Sequence, residues 1–357
     1  MRRSRTDRTS LHDHTELRVS VRIICCILVL GLLHVASSVF IPLAFALFTI
    51  ALVAPVHHWL HLRMPAPLAS LLTLLMTVAG LAVFLLLAGW GFSLIAQWII
   101  VNAARLQSLF VLQTESLHPH GTMLMGMFLD NFNASWLLRA VQEIALRVNS
   151  MVGLFVLTII FVALGLFELD GAAGHVENLL GRRSSRRWAL AARQISSKLR
   201  RYMIIRTLAS VLTGLTVWLF AMYAGLELAT AWGGLAFLLN YIPFLGPLVA
   251  TVFPTLFAFV QYETWQAALG VFLALNFIQV IYGSYMEPRL AGNAFSLSPL
   301  MVMVAVFFGG LVWGIPGVFI GVPVLITVMT ALVPRRAIRR RSCGFPSEEV
   351  NDGKQCR

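Results

Sequence analysis

The sequence predicts an all-α polytopic membrane protein with about eight transmembrane elements and broken or re-entrant helices in its C-terminal half. Three observations predict this class. Of 357 residues, 59% are hydrophobic and 12% charged, with a mean hydropathy of +0.82; a soluble domain carries about 25% charged residues. The apolar residues fall in runs that match a hydrocarbon core of about 30 Å, which takes about 20 helical residues to cross. The 27 basic residues gather in blocks, six in 1–22, nine in 182–206 and seven in 335–357, each abutting an apolar run. That is the pattern of cytoplasmic loops held near anionic headgroups. With eight crossings and both termini inside, only Arg105, Arg139, Arg147 and Arg289 fall on the outer side. No aromatic platform or nucleic-acid motif accompanies the basic blocks, so nucleic acid is not an expected partner.

The elements follow in order. Residues 1–22 form a basic cytoplasmic N-terminus, and 23–100 hold the first three spans. Span one is Ile23 to Phe40, span two follows Pro42 and ends near His57, and span three is Pro67 to Ile100. At 34 residues the third run exceeds one bilayer thickness and must tilt or project. Across 101–147, Met, Leu and Phe alternate with Gln, Asn and Glu, which predicts extracytoplasmic amphipathic helices on the membrane surface or a neighbour. The fourth span lies in 148–170, a basic cytoplasmic helix in 171–202, a transport core in 203–334 and a basic tail in 335–357. Within the core, span five is 203–223, a broken sixth element covers 231–261, span seven is 265–286, and Pro299 to Val333 forms the last apolar stretch.

The sixth element is interrupted at NYIPFLGP, Asn240 to Pro247. Pro243 and Pro247 lack an amide hydrogen and Gly246 relaxes the backbone. The flanks 231–240 and 248–261 are then half-helices of roughly 15–21 Å, neither of which spans alone. The last stretch is interrupted too, at Gly309, Gly310, Gly314, Pro316, Gly317, Gly321 and Pro323. Hydrocarbon tolerates such breaks only where protein or a water-filled cavity satisfies the backbone. Paired discontinuities point to a transport site near the midplane. Asn240 and Tyr241 supply polar side chains at the break, with Asn240 as a helix cap the competing reading. Asn276 and Gln279, three apart, share a face and line a polar path or bond between helices. Glu287 and Arg289 either carry protons or charge at depth or lie solvated at the interface, with Pro288 ending span seven. The glycines of the last stretch are gating hinges or a close-packing face.

Three runs carry a family likeness: NYIPFLGPLVA (Asn240 to Ala250), YMEPRLAGNAFSLSPL (Tyr285 to Leu300) and GGLVWGIPGVFIGVPV (Gly309 to Val324). In order and spacing they resemble the autoinducer-2 exporter-like permeases of bacterial inner membranes. The resemblance covers about 195–330 in motifs and the N-terminal half in architecture. It implies eight membrane elements, a homo-oligomer in the inner membrane, and movement of a small polar solute such as an autoinducer-2-like quorum-sensing signal. Sodium–proton exchange, coupled through a cation or proton, is the alternative within the family. No nucleophile–base motif, metal cluster or phosphate-binding loop occurs, so no enzymatic activity, metal or cofactor is expected. His57, His58 and His61 lack a nearby carboxylate to complete a metal site. A non-transporting scaffold or intramembrane enzyme are the readings from outside the class.

Overall fold

A computed structural model describes residues 6–117, 152–168, 181–291 and 298–332. Ten α-helices and one π-helical segment account for nearly all of them: α1 (Thr6–Val35), α2 (Ser37–His61), α3 (Ala66–Leu117), α4 (Val152–Glu168), α5 (Arg182–Tyr223), α6 (Ala229–Leu239), α7 (Leu245–Tyr262), α8 (Trp265–Gln279), the π segment Val280–Met286, α9 (Glu287–Ala291) and α10 (Pro299–Leu332). Among the described residues, six stretches are long and apolar enough to cross a membrane, and α1, α4 and α6 carry shorter apolar helices. The chain is a multi-pass membrane protein.

Several boundaries differ from the sequence reading. The first two spans meet at Ala36, where φ −91° and ψ 25° interrupt the helix, and Pro42 lies buried inside α2. Helix α3 continues without a break to Leu117, through the change of composition at 101; the rest of the expected surface helices, 118–147, lies outside the described residues. Its apolar part, Ala66–Asn102, has 37 residues, about 55 Å at 1.5 Å per residue, so it must tilt to fit a core of about 30 Å. Helix α5 is likewise continuous over 42 residues, where the sequence suggested a cytoplasmic helix followed by a separate span. Its first half docks on α2 and α10: Ser196 Oγ donates to the Ala51 carbonyl at 2.5 Å, and Leu199 is buried with Val306, Val322 and Ile326. Apolar residues at helical spacing held that half against protein although charged residues surround it in sequence.

Both interrupted elements are hairpins. Residues 224–228, just before α6, meet the end of α7: Glu227 N–H donates to Gln261 Oε1 at 3.0 Å, Gln261 Nε2 to the Gly225 carbonyl at 2.7 Å, and Tyr262 OH to the Ala224 carbonyl at 2.5 Å. Midway along, the rings of Trp232 and Phe257 sit 5.1 Å apart. At the closed end, a Cβ on Gly246 would overlap the Leu239 carbonyl, so only glycine lets the legs approach. The break itself spans 240–244; Gly246 and Pro247 lie in the first turn of α7, where a proline costs no hydrogen bond. With 18 residues, α7 is about 27 Å long, more than the half-helix expected.

In α10, Gly314 takes φ 62° and ψ −143°, conformations open to glycine, and the chain doubles back there. Gly309 faces Gly317 and Ala305 faces Gly321, pairs eight and sixteen residues apart that a straight helix would separate by about 12 and 24 Å. Small residues let the two backbones touch. The hairpin's tip rests on the end of α1, with Trp313 Nε1 donating to the Leu33 carbonyl at 3.0 Å.

The core that positions the site is formed by α5, α6, α7 and α8, with α3 alongside. Val217, Trp232, Ala236, Ala250, Phe257 and Leu275 are its buried centre. Gly214 and Gly233 bring α5 and α6 so close that each would meet the other's carbonyl at 2.9 Å through an added Cβ.

Candidate functional site at the broken helix

The break is a strained turn. Leu245 N–H donates to the Pro243 carbonyl at 2.7 Å around Phe244, whose φ of 64° and ψ of −52° define a positive-φ γ-turn, rare and costly for a non-glycine residue. Phe244 is 50% exposed, so burial of its ring does not explain the conformation. Asn240, at the end of α6, is buried.

Arg206, on α5, reaches this turn. Its Nη1 donates to the Asn240 carbonyl at 3.4 Å and to Glu287 Oε2 at 3.0 Å. The guanidinium is 8% exposed and the carboxylate 24%. One buried cation therefore ties a free carbonyl at the end of a broken helix to the only carboxylate it pairs with among the described residues. Neighbouring side chains extend the network. Asn240 Nδ2 donates to Ser210 Oγ at 3.3 Å, and Tyr241 OH to Thr207 Oγ1 at 3.1 Å. Phe84 of α3 and Phe237 meet the Tyr241 ring edge-on at 5.9 and 5.6 Å.

The sequence reading missed Arg206, Ser210 and Thr207. A signal was present: Arg206, Ser210 and Thr213 recur at i, i+4 and i+7, a polar stripe on one face of an otherwise apolar helix.

Of the residues singled out, Asn240, Tyr241, Pro243 and Glu287 come together. Arg289 does not; it is exposed and its guanidinium stacks 3.9 Å above the Tyr285 ring. Nor does Pro288 end the helix, which runs on through the π segment and α9 to Ala291. Proline deletes one α-helical hydrogen bond, and the π turn immediately before it accommodates that loss while re-aiming Glu287 toward α5. Among the described residues, Asn276 bonds neither a partner helix nor the break: its Nδ2 returns to the Phe272 carbonyl of its own helix at 2.8 Å. Gln279 is buried, facing inward. Gly309, Gly310, Gly314, Pro316, Gly317, Gly321 and Pro323 all belong to the α10 hairpin, away from Asn240. A cavity of about 470 Å³ lies there, lined by carbon-rich side chains such as Leu33, Val304, Phe308 and Ile320. It suits hydrocarbon and offers a polar solute nothing.

Residues 23–334 match the AI-2E family transporter family. The chain is similar to the AI-2 transport protein TqsA of Escherichia coli (strain K12), 29% identical over 325 residues, 88% of this chain and 92% of the relative. It is also similar to YhhT of the same strain, provisionally named a transport protein, at 25% identity over 327 residues, 87% and 89% of the two chains. The interrupted helices, the matched span and these relatives together place the chain in the AI-2E family of transporters.

Proposed function

We propose that this permease moves a small polar solute by alternating access at the α6–α7 turn, with an autoinducer-2-like signal as the first candidate. The observation that carries the reading is the buried Arg206, which joins the Asn240 carbonyl to Glu287. A broken helix leaves peptide dipoles for a solute to use, and an ion pair beside it supplies a latch that can open. When Arg206 releases Glu287, the carbonyl of Asn240, the hydroxyl of Tyr241 and the Ser210–Asn240 pair become ligands for a hydroxylated guest. The γ-turn at Phe244 stores strain that favours rearrangement. Gln279 continues the polar path on α8. The α10 hairpin, with its glycine-lined contact, serves as the moving partner of the same core.

In this reading the chain sits in the bacterial inner membrane and acts as a homo-oligomer, as the family resemblance implies, and its termini are cytoplasmic, which the placement of the basic blocks supports. The test is flux of autoinducer-2 in vesicles reconstituted with purified protein. Wild type moves it, and Asn240→Ala abolishes movement while expression and assembly stay normal. Transport unchanged in Asn240→Ala rejects the site.

One observation favours a second reading, cation–proton antiport: Glu287, just past the end of a candidate span, keeps 24% of its side chain exposed. It predicts that Glu287→Gln loses sodium-driven proton movement, measured with a pH-sensitive dye inside the vesicles. A normal dye signal removes it.

A further inference from the structure

The cavity beside the α10 hairpin has a shape that the transport reading leaves unused. It is a slot in the groove between the two legs. Leu300, Val304 and Phe308 line it from the first leg and Ile320, Val324 and Val328 from the second, each set at steps of four, so each leg contributes one face. From Leu300 to Trp313 the slot is about 20 Å long at 1.5 Å per residue. Its volume of about 470 Å³ then gives a cross-section of roughly 20–25 Å². A helix is about 10–12 Å across and does not enter, whereas an extended hydrocarbon chain does.

Helix α1 closes one end of the slot and carries charge toward the other. Leu30 and Leu33 cover it at the hairpin tip, where His34 Nδ1 donates to the Val312 carbonyl at 2.7 Å and Trp313 Nε1 to the Leu33 carbonyl. Among the described residues, no α1 residue before Leu30 lines the slot, and Ile23, Ile27 and Leu28 are more than half exposed. Arg22 precedes Leu33 by eleven residues, three turns and about 20° of a helix, so it points to the same side about 16 Å from the tip. Arg18 lies one turn further on, about 22 Å from the tip. With α1 descending beside the hairpin, the open end of the slot falls between these two levels. Both arginines are exposed, and neither pairs with a carboxylate among the described residues. The hairpin is at a polar level there too: on its other face Lys198 Nζ donates at 3.2 Å to the hydroxyl of Thr330, two residues past Val328.

We propose that the slot holds one acyl chain of an anionic glycerophospholipid whose phosphate is bound by Arg22 and Arg18. The tail alone gains nothing by leaving the bilayer, whose chains are as apolar as the slot. Selection therefore falls to the headgroup, where arginine meets phosphate with paired N–H donors. Width and charge set aside a second copy as the occupant, since it brings a helix too broad for the slot and a net charge of +12. The lipid wedges between α1 and the hairpin and braces the contact at the tip. This assignment does not depend on which solute crosses the membrane.

The test uses the full-length protein purified in detergent. Dioleoyl-phosphatidylglycerol or dioleoyl-phosphatidylcholine is added, and bound lipid is counted by native mass spectrometry. One phosphatidylglycerol per chain stays bound and phosphatidylcholine does not. An arginine near an anionic surface is worth about fivefold in retention. Arg18→Gln combined with Arg22→Gln therefore weakens phosphatidylglycerol binding about 25-fold, and leaves the melting temperature without lipid unchanged. Val304→Trp, at a position 54% exposed, fills the slot and removes retention while both arginines remain. Phosphatidylglycerol with a diazirine near the end of one acyl chain, photolysed in phosphatidylcholine vesicles, labels α10 near Trp313 and α1 near Leu33. Equal retention of the two lipids, retention that survives either substitution, or label confined to other helices overturns the proposal. Val304→Trp that keeps its lipid but splits the assembly into smaller oligomers overturns it as well, and assigns the groove to a second copy.

Discussion

Separating Arg206 from Glu287 gives an asymmetric prediction that the geometry fixes in advance. The pair is 3.0 Å apart, with the guanidinium 8% exposed and the carboxylate 24%. Removing one partner of a buried pair costs about 3–5 kcal/mol, because the other charge is left uncompensated. Glu287→Gln strands the more deeply buried charge, so the full cost of about 3–5 kcal/mol applies. Arg206→Met strands a carboxylate that retains part of its water, and the cost falls to roughly 1–3 kcal/mol. The double variant Arg206→Met with Glu287→Gln buries no charge and recovers most of the loss, since apolar replacement of a buried pair is often neutral. The assay is thermal unfolding in mild detergent, followed by tryptophan fluorescence. One kcal/mol moves the midpoint by about 2–4 °C in a chain of 150–250 residues, and by less in a longer one. Glu287→Gln therefore melts several degrees below wild type, Arg206→Met lies between, and the double variant returns toward wild type. Equal losses, the reverse order, or a double variant as unstable as Glu287→Gln refutes the reasoning.

Further predictions concern the two hairpins. Gly246→Ala and Gly317→Ala each place a methyl group against a backbone carbonyl, of Leu239 and Gly309, so both lower the melting temperature and transport; Gly234→Ala and Gly283→Ala, which meet open space, shift stability by no more than about 0.5 kcal/mol. Phe244→Gly relieves the positive-φ turn and stabilises the protein by about 1 kcal/mol, read as a higher melting temperature, with slower transport if the strain assists opening.

The sequence made the breaks legible but not what they do. Asn240–Pro247 and the glycines around Gly314 announce interruptions because proline and glycine act locally. Whether the chain then continues or doubles back depends on contacts between residues far apart, such as Glu227 with Gln261 or Gly309 with Gly317. Those contacts leave no local trace. Arg206 was hidden for another reason. Counting charges in blocks groups it with eight neighbours, and a count carries no direction; only the spacing of Arg206, Ser210 and Thr213 shows that this one turns inward. Lengths misled wherever a helix ran through a change of polarity, as α3 does at 101 and α5 near 202. Backbone hydrogen bonding continues across such a point even when the environment changes.

The hairpins also settle why charge counting could not choose between them and full crossings. Turning the sixth element back on itself reverses the direction of α8, and turning α10 back reverses its exit as well. Two reversals restore parity, so the charge count still assigns both termini to one side. Among basic residues, the change moves Arg289 from the outer group to the inner one; Glu287 moves with it and Glu263 moves the other way. The topology with hairpins thus satisfies the positive-inside pattern slightly better than eight crossings, at a difference of one arginine. It also explains how Arg206, near the start of one apolar run, meets Glu287 at the end of another. In eight straight crossings those residues enter and leave on opposite faces. Only if α6–α7 returns to the face it left does α8 descend antiparallel to α5 and bring the carboxylate level with the arginine. The ion pair and the re-entrant turn therefore require each other: a measurement placing Arg206 and Glu287 on opposite faces of the membrane removes the hairpin along with the site.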